Sequence, residues 1–134
     1  MPDKITLILP LPPAALSPNA SSPWNPKAKW FRIDARKQYR EACSWCGFAE
    51  IMGWKLNEGW NPARVRMTET YRISGKRKRD VRNLFAAFKA GEDGLVDARI
   101  LPGDDDSVLE HGPPKIQRVP LKKDEGVLVE IEEI

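Results

Sequence analysis

Two charged clusters in the second half of the chain contain the residue types that phosphodiester chemistry requires. The first is a basic run at residues 76–79 followed by Asp80, and the second is a run of aspartates at residues 104–106. Lys and Arg side chains bind phosphates and release condensed counterions. Clustered carboxylates supply the oxygen ligands that Mg²⁺ prefers. Together, the clusters predict a site that binds a polyanionic backbone and hydrolyses phosphodiesters with the help of a divalent cation.

Charge is distributed unevenly along the chain, although the net charge is only +3. Between Arg64 and Arg82 there are eight basic residues and only two acidic ones. From Asp124 onwards there are five acidic residues and no basic one. Such asymmetry indicates a polar molecule with one face suited to polyanions.

The overall composition is that of a single ordinary globular domain, which we expect to span residues 1–134. Of the 134 residues, 41% are hydrophobic and 31% are charged. No apolar run approaches the length of a membrane span, and the run at residues 5–9 lacks the length and cleavage site of a signal peptide. We therefore expect a cytoplasmic protein with no membrane partner.

The chain has two cysteines, Cys43 and Cys46, at the spacing of a metal-binding or redox pair. Structural zinc needs four ligands, and the chain has no second pair. Only His111 could add a ligand, so small buried core residues are the favoured interpretation.

The residues before these clusters predict the elements that position them. A β-branched and leucine run at residues 5–9 ends at prolines, which indicates a first strand, and the six prolines of residues 10–26 indicate a loop. Apolar residues then recur at helical spacing, which predicts one long helix from Lys27 to Trp54. The basic residues in the first half of this helix form either a solvated face or a contact with DNA.

A half-buried strand with a basic outer face is predicted from Arg64 to Ile73, because apolar and polar residues alternate there. Glu69 is the exception, since its carboxylate lies on the apolar side. A buried carboxylate needs a partner or a metal. Fraying at the end of the strand is the favoured alternative.

The second half of the chain places both charged clusters in loops. Asp80 is a good N-cap for a helix predicted over residues 81–98, and Pro102 and Gly103 then break the chain before the aspartates. The remaining segments are a short strand or turn at 108–110 and strands at 116–121 and 127–131. The order strand, helix, strand, helix, strand, strand predicts an α+β fold in which a small mixed β-sheet packs against two main helices.

Several short motifs follow one another in a specific order. They are ITLILPLPP at 5–13, LSPN at 16–19, YR at 39–40, RDVRNL at 79–84, KA at 89–90, DGLVDA at 93–98 and LPGDDD at 101–106. Each motif alone is weakly specific, whereas their order and spacing together are quite specific. Over nearly its whole length the chain resembles the RusA family of Holliday junction resolvases, which cut four-way DNA junctions.

The resemblance implies a homodimer with a Mg²⁺-dependent site (Mn²⁺ is the alternative cation) at its DNA face and no small-molecule cofactor. By position in the family's motifs, the catalytic residues would be Asp80, Lys89, Asp104 and Asp105. The three aspartates in this set would hold the cation. The DNA-binding residues would be Lys76, Arg77, Lys78, Arg79, Arg82 and Asn83.

Two features of the match leave alternatives open. Counting without gaps from Leu95 places the later catalytic aspartate at Asp104, whereas counting back from Ser107 favours residue 105 or 106. In addition, the family's first motif has a second aspartate where this chain has Arg82, and an arginine there would repel a cation.

The sequence thus predicts a Mg²⁺-dependent, structure-selective endodeoxyribonuclease that cuts four-way or other branched DNA in recombination and repair. The alternative is a junction-binding protein whose cleavage is weakened by Arg82. Both hypotheses predict salt-sensitive binding to branched DNA, and only the enzyme would release nicked products. A third hypothesis, a basic scaffold protein, predicts no preference for branched over linear duplex.

Overall fold

The computed structural model describes residues 4–17, 26–55 and 60–134. The elements in chain order are β1 (Lys4–Leu9), α1 (Pro26–Lys55), β2 (Val65–Ser74), α2 (Val81–Ala87), α3 (Lys89–Asp97), β3 (Leu109–His111), β4 (Lys115–Val119) and β5 (Gly126–Glu133). Two short 3-10 helices lie at Ala14–Leu16 and Lys122–Asp124. The predicted α+β class is confirmed. None of the helices in the described ranges combines the length and apolarity needed to cross a bilayer.

β2 is the central strand of the sheet. On one edge it pairs antiparallel with β5, which pairs antiparallel with β1. On its other edge β2 pairs in parallel with β3 and then with β4. β4 and β5 are consecutive in sequence, yet they lie on opposite sides of β2. The sheet is therefore mixed, as predicted.

The alternation predicted for β2 is confirmed. Val65, Met67, Tyr71 and Ile73 are buried on the core face of the strand. Glu69 shares this face, and only 2% of its surface is exposed. Fraying, the favoured alternative for Glu69, is wrong, because this residue pairs with β5 within the central strand of the sheet.

The helix α3 packs closely on α1 because two of its glycines face that helix. A Cβ atom on Gly94 would lie 2.4 Å from the carbonyl oxygen of Arg40, and one on Gly91 would lie 2.6 Å from the ring of Phe88 and 3.0 Å from the ring of Tyr39. Arg40 also binds both carboxylate oxygens of Asp97, at 2.6 and 2.9 Å. The glycines weaken helix propensity, but they permit the contact that positions α3.

The single helix predicted over residues 81–98 is in fact two helices, α2 and α3, which meet at Phe88. Phe88 is buried, and its ring packs edge-on against Tyr39 and Tyr71 with centroids 6.3 Å apart in each pair. The break allows this aromatic ring to fill the core between the helices and the sheet. It also makes Lys89 the first residue of a new helix.

The predicted connections are described only in part. The proline-rich loop predicted at residues 10–26 contains the 3-10 turn at Ala14–Leu16, and the hydroxyl of Tyr39 donates a hydrogen bond of 2.6 Å to the carbonyl of Pro10. Residues 18–25 of that loop, including the predicted motif at 18–19, lie outside the described ranges. Residues 56–59, which precede β2 in the chain, do so too.

The two cysteines are free thiols on the inner side of α1. Cys43 is fully buried, and Cys46 is partly buried against the core. Burial raises the pKa of the Cys43 thiol to about 12, so this thiol stays protonated at neutral pH. The interpretation as a buried core residue is confirmed for Cys43, whereas Cys46 packs against the core and is only partly buried.

Candidate functional site

Lys89 lies at the centre of a cluster of acidic side chains. Its Nζ atom lies 2.8 Å from an oxygen of Glu92, 3.3 Å from one of Asp93 and 3.1 Å from one of Asp104. Glu92 and Asp93 follow Lys89 by three and four positions, so one turn of α3 places them beside it. Asp104 reaches Lys89 because the loop after α3 folds back toward the start of the helix.

The acidic cluster continues into the interior through Glu92. Only 5% of this residue is exposed, and one of its carboxylate oxygens is hydrogen-bonded to Nε2 of His111. His111 ends β3, and its ring packs edge-on against Phe85 of α2 with centroids 5.5 Å apart. The Glu92 carboxylate therefore joins a side chain of the sheet to Lys89 at the start of α3.

Glu69 supplies a second buried carboxylate to the same region. Its Oε2 atom has no hydrogen-bond partner among the described residues. Burial, together with the negative charge of Glu92, raises the pKa of Glu69 to about 8. A cavity of about 250 Å³, here called the lysine cavity, is lined by Glu69, Phe85, Phe88, Lys89, Glu92, Asp104 and His111.

The charge of Lys89 is stabilised by its neighbours. Partial burial disfavours the ammonium, but the hydrogen bonds to Glu92 and Asp104 outweigh it and raise the pKa of Lys89 above its usual value. About half of the side chain is exposed. Lys89 is therefore a permanently charged donor at the opening of the lysine cavity.

The lysine cavity contains oxygen and nitrogen donors, but they do not form a completed metal site. In the described part of the chain no three His, Cys, Asp or Glu side chains are arranged to hold a metal ion. The ammonium of Lys89 binds the Glu92 and Asp104 carboxylates directly. The unpartnered Oε2 atom of Glu69 is the observation that fits a cation, because a buried carboxylate oxygen without a partner is unfavourable.

A second feature is the basic loop, residues 75–80, which connects β2 to α2. Its side chains are exposed, while its backbone is held by Arg118 of β4, which donates to the carbonyls of Gly75 (3.3 Å) and Arg77 (2.7 Å). Gly75 has a φ angle of +82°, a conformation that favours glycine. Just before the loop, the carboxylate of Glu125 accepts hydrogen bonds of 2.8 Å from both the backbone N–H and the hydroxyl of Ser74. Arg118 of β4 and Glu125, which directly precedes β5, thus hold the basic loop and the residue before it in place.

The basic loop forms one wall of another cavity, of about 310 Å³, here called the basic-loop cavity. Asp80 caps α2, since its Oδ1 atom accepts a hydrogen bond of 2.8 Å from the backbone N–H of Arg82. The predicted N-cap is therefore confirmed. The residues that line this cavity are Pro12, Pro13, Ala14, Ser17, Arg77, Lys78, Arg79, Asp80, Asn83, Leu84 and Ala87.

The structure separates the predicted catalytic residues into two groups. Lys89 and Asp104 are in direct contact, whereas Asp80 lines the basic-loop cavity, and none of the described contacts joins it to Asp104 or Asp105. The Asp105 carboxylate accepts hydrogen bonds from the hydroxyl and the N–H of Ser107, which hold its pKa below the usual value. Counting without gaps from Leu95 gave Asp104 as the later catalytic aspartate, and Asp104 is the residue that contacts Lys89.

The predicted DNA-binding residues gather around the basic-loop cavity. Arg77, Lys78, Arg79 and Asn83 line it, and Lys76 is exposed in the same loop. Arg82 is exposed on the first turn of α2, just beyond the Asp80 cap. These side chains are available to solvent, as phosphate contacts require.

Sequence reasoning missed three residues of this region. Glu92 and His111 were not selected because they come from a helix and a strand that only the fold brings together. Arg118 was not selected because its role depends on the parallel pairing of β4 with β2. Glu69 carried a signal, since a carboxylate stood at an apolar position of an alternating strand.

Comparison of the chain with models of protein families gives no match, and comparison with curated proteins gives none either. The resemblance to RusA resolvases thus stays a prediction from motifs.

Proposed function

We propose that the protein is a cation-dependent endodeoxyribonuclease that cuts branched DNA, including four-way junctions. The observation that carries the proposal is the contact between Lys89 and Asp104 at 3.1 Å. These two residues were selected from separate sequence motifs, and they are fifteen positions apart in the chain. A lysine beside carboxylates at the edge of a cavity combines a positive charge for a phosphodiester with oxygen ligands for a cation.

Lys89 would stabilise the charge that develops on the phosphoryl oxygens. Its raised pKa keeps it charged throughout the neutral range. A preorganised cation contributes most where charge increases in the transition state. Its bonds to Glu92 and Asp93 hold the ammonium in place at the start of α3.

Asp104, Glu92 and Glu69 supply carboxylates to this region, but among the described residues they are not arranged to hold a metal ion. A cation, Mg²⁺ or Mn²⁺, would therefore bind here only after Lys89 releases Asp104 and Glu92. When bound, it would polarise the phosphate and activate water for attack at phosphorus. Carboxylate oxygens suit both cations, and an imidazole such as that of His111 suits the transition metal better. Asp80 and Asp105 were predicted as ligands and remain candidates, but their described hydrogen bonds are to the backbone of α2 and to Ser107.

The basic loop would hold the DNA backbone without reading its sequence. Its four consecutive cationic side chains, Lys76 to Arg79, are exposed, and the last three of them line the basic-loop cavity. Symmetric cutting of a four-way junction needs two active sites, so the acting species in this proposal is a homodimer with a two-fold axis.

A second candidate is a protein that binds junctions without cutting them. The specific observation in its favour is that Arg82 occupies the first turn of α2, where the family's motif has a second carboxylate. In this case Lys89 and its acidic partners would be a structural network. The two candidates differ only in whether a divalent cation leads to nicked products.

The deciding experiment is cleavage of a labelled four-way junction, with linear duplex as the matched substrate, in Mg²⁺, in Mn²⁺ and in EDTA. The test variant is Asp104→Asn, and the matched control is Asp106→Asn, an exposed residue of the same loop. We expect cation-dependent nicks near the branch point that Asp104→Asn removes and Asp106→Asn retains. Binding without any nicks would establish the second candidate. Equal binding to branched and linear DNA would contradict both.

A further inference from the structure

The side of α1 that faces away from the core exposes large apolar residues. Trp30 is 71% exposed and Trp45 is 70% exposed, and Phe48 and Met52 are exposed as well. The rings of Trp45 and Phe48 pack edge-on, with centroids 6.2 Å apart. Apolar surface of this kind commonly marks an interaction site.

These apolar residues share one face of the helix with three exposed charged residues. Successive members are three or four positions apart, which is the spacing of a single helix face. The face lies opposite Tyr39 and Cys43, which are buried against the core. It is here called the outer stripe, and its members are Trp30, Asp34, Lys37, Glu41, Trp45, Phe48 and Met52.

The charges of the outer stripe disfavour a polyanionic partner. Lys37 supplies one positive charge, whereas Asp34 and Glu41 supply two negative charges. Nucleic acids and anionic membranes bind surfaces that have an excess of cations. The outer stripe is instead suited to a partner that offers apolar surface together with both signs of charge.

The outer stripe is complementary to itself when the helix is reversed about residue 39. Lys37 and Glu41 lie two positions to either side of this point. Trp30 and Phe48 lie nine positions to either side of it. Steps of seven, four and seven positions keep these four side chains on one narrow face.

A second copy of α1, set antiparallel by a two-fold axis at residue 39, therefore supplies the matching surface. Lys37 comes level with Glu41 of the second copy, and Trp30 comes level with Phe48 of the second copy. Each contact occurs twice, because a two-fold interface repeats every pair. Reversal about residue 41 would instead set Glu41 against Glu41, where like charges repel.

The outer stripe is also large enough for a stable interface. Trp30, Trp45 and Phe48 expose between 46% and 71% of their surface. An aromatic side chain buries about 150–250 Å² when fully covered, so covering these three rings in both copies would remove roughly 600–900 Å² from solvent. Met52 and the aliphatic parts of the charged side chains add to this area, which brings it to the roughly 1,000 Å² that a specific interface needs.

We propose that two copies of the chain form an antiparallel, two-fold symmetric dimer through the outer stripe of α1. In this dimer Lys37 pairs with Glu41 across the interface, and Trp30 packs against Phe48. No member of the outer stripe lines the lysine cavity or the basic-loop cavity, so these cavities stay open to DNA. The inference rests on the proposed function in that it names the interface of the homodimer which symmetric cutting requires, while the contacts themselves do not depend on cleavage.

The test is sedimentation equilibrium of the full-length protein without DNA or divalent cation. We expect a dimer, and we expect Lys37→Glu and Glu41→Lys each to raise its dissociation constant by about tenfold or more, because each sets like charges level with each other twice. The matched control is Glu133→Lys, which makes the same change of charge at an exposed residue of β5. It should leave the dissociation constant unchanged.

The decisive measurement mixes the two single variants in equal amounts. In a mixed dimer, Glu at position 37 of one copy faces Lys at position 41 of the other, and the second pair keeps its original Lys37 and Glu41. We therefore expect the mixture to dimerise about as tightly as the wild-type protein, although each variant alone does not. Circular dichroism establishes that both variants are folded.

Three results would overturn the inference. They are a monomeric wild-type protein, dimers of both single variants as tight as the wild-type dimer, and a mixture that stays as monomeric as its components. Failure of the proposed function is a separate outcome. A dimer that behaves as expected in these mixtures, but does not nick four-way junctions, would uphold the interface and reject the nuclease.

Discussion

The basic-loop cavity and the lysine cavity both contain residues that the sequence motifs selected, but their electrostatics differ. In the basic-loop cavity the cations are exposed, and the adjacent Asp80 is occupied by capping α2. In the lysine cavity a single cation, Lys89, is bound by three carboxylates, one of which belongs to the buried Glu92. Exposed cations without acidic partners are suited to binding a phosphate backbone. A partly buried cation that is held by carboxylates is suited to stabilising charge during a reaction.

This contrast indicates that clusters of charge close in sequence need not act together. Asp80 and the aspartates at 104–106 suggest one metal site when they are considered along the chain. In the fold, Asp80 begins α2 beside the basic loop, and Asp104 reaches Lys89 at the start of α3. We therefore expect the basic loop to determine the affinity for DNA and the lysine cavity to determine the cleavage rate.

The largest effect is expected from Lys89→Met. Loss of a preorganised charge at the reacting phosphate should lower the cleavage rate about 10²- to 10³-fold while junction binding changes little. Single-turnover cleavage and gel-shift binding measure the two quantities, with Lys123→Met as an exposed matched control. If junction binding fell in parallel with the cleavage rate, Lys89 would be a residue that binds the DNA backbone. The two cavities would then not differ in function.

Replacing the four basic residues at 76–79 by alanine should chiefly affect affinity. The slope of log affinity against log salt should fall by roughly 0.9 for each phosphate that the loop no longer neutralises, and cleavage at saturating protein should persist. Titrations of duplex and junction at several salt concentrations measure the slope. An unchanged slope would place the main DNA-binding surface elsewhere, with the first half of α1 as the next surface to test.

Glu69 should make stability depend on pH in the cation-free protein. Its pKa is about 8 in the folded state and 4.5 without burial, so the folded state binds its proton more tightly. The contribution to the free energy of unfolding is complete below pH 4.5 and is lost as pH rises toward 8, by up to about 1.4 kcal/mol per pH unit. Denaturant unfolding in EDTA should show that Glu69→Gln flattens this dependence. If the free energy of unfolding of Glu69→Gln declined with pH in the same way, another group would be responsible for the pH dependence.

Asp80→Asn should be milder than Asp104→Asn. Asparagine caps helices about as well as aspartate, so the fold of α2 should persist and the change should report on the charge alone. We expect cleavage to survive, because the described bond of Asp80 is to the α2 backbone. Complete loss of cleavage with normal thermal stability would instead make Asp80 a ligand, as the sequence predicted, and would join the two cavities into one site.

The smallest effect is expected from Arg82→Asp, which introduces the acidic residue that the RusA motif has at the corresponding position. Arg82 is exposed, so solvent screens its charge. We expect a modest gain in apparent affinity for Mg²⁺, measured by titrating Mg²⁺ against the cleavage rate. A fall in both rate and DNA affinity would show that Arg82 itself contacts the substrate.

The sequence alone predicted the elements whose pattern is local. Alternation identified β2 and the unusual position of Glu69, helical spacing identified α1, and the Asp80 N-cap marked the start of α2. These predictions succeed because side-chain periodicity and capping depend on neighbours within one or two turns or on adjacent strand positions. The motifs also selected Lys89 and, when counted without gaps, Asp104.

Only the tertiary structure decided which side chains share a cavity. The break at Phe88 follows from packing against Tyr39 and Tyr71, which no local pattern around residue 88 reports. His111 meets Glu92 because β3 pairs in parallel with β2 beneath the helices. Such contacts join residues that are distant in sequence, and their energies come from burial and pairing across the sheet. The composition of the lysine cavity was therefore a property of the fold.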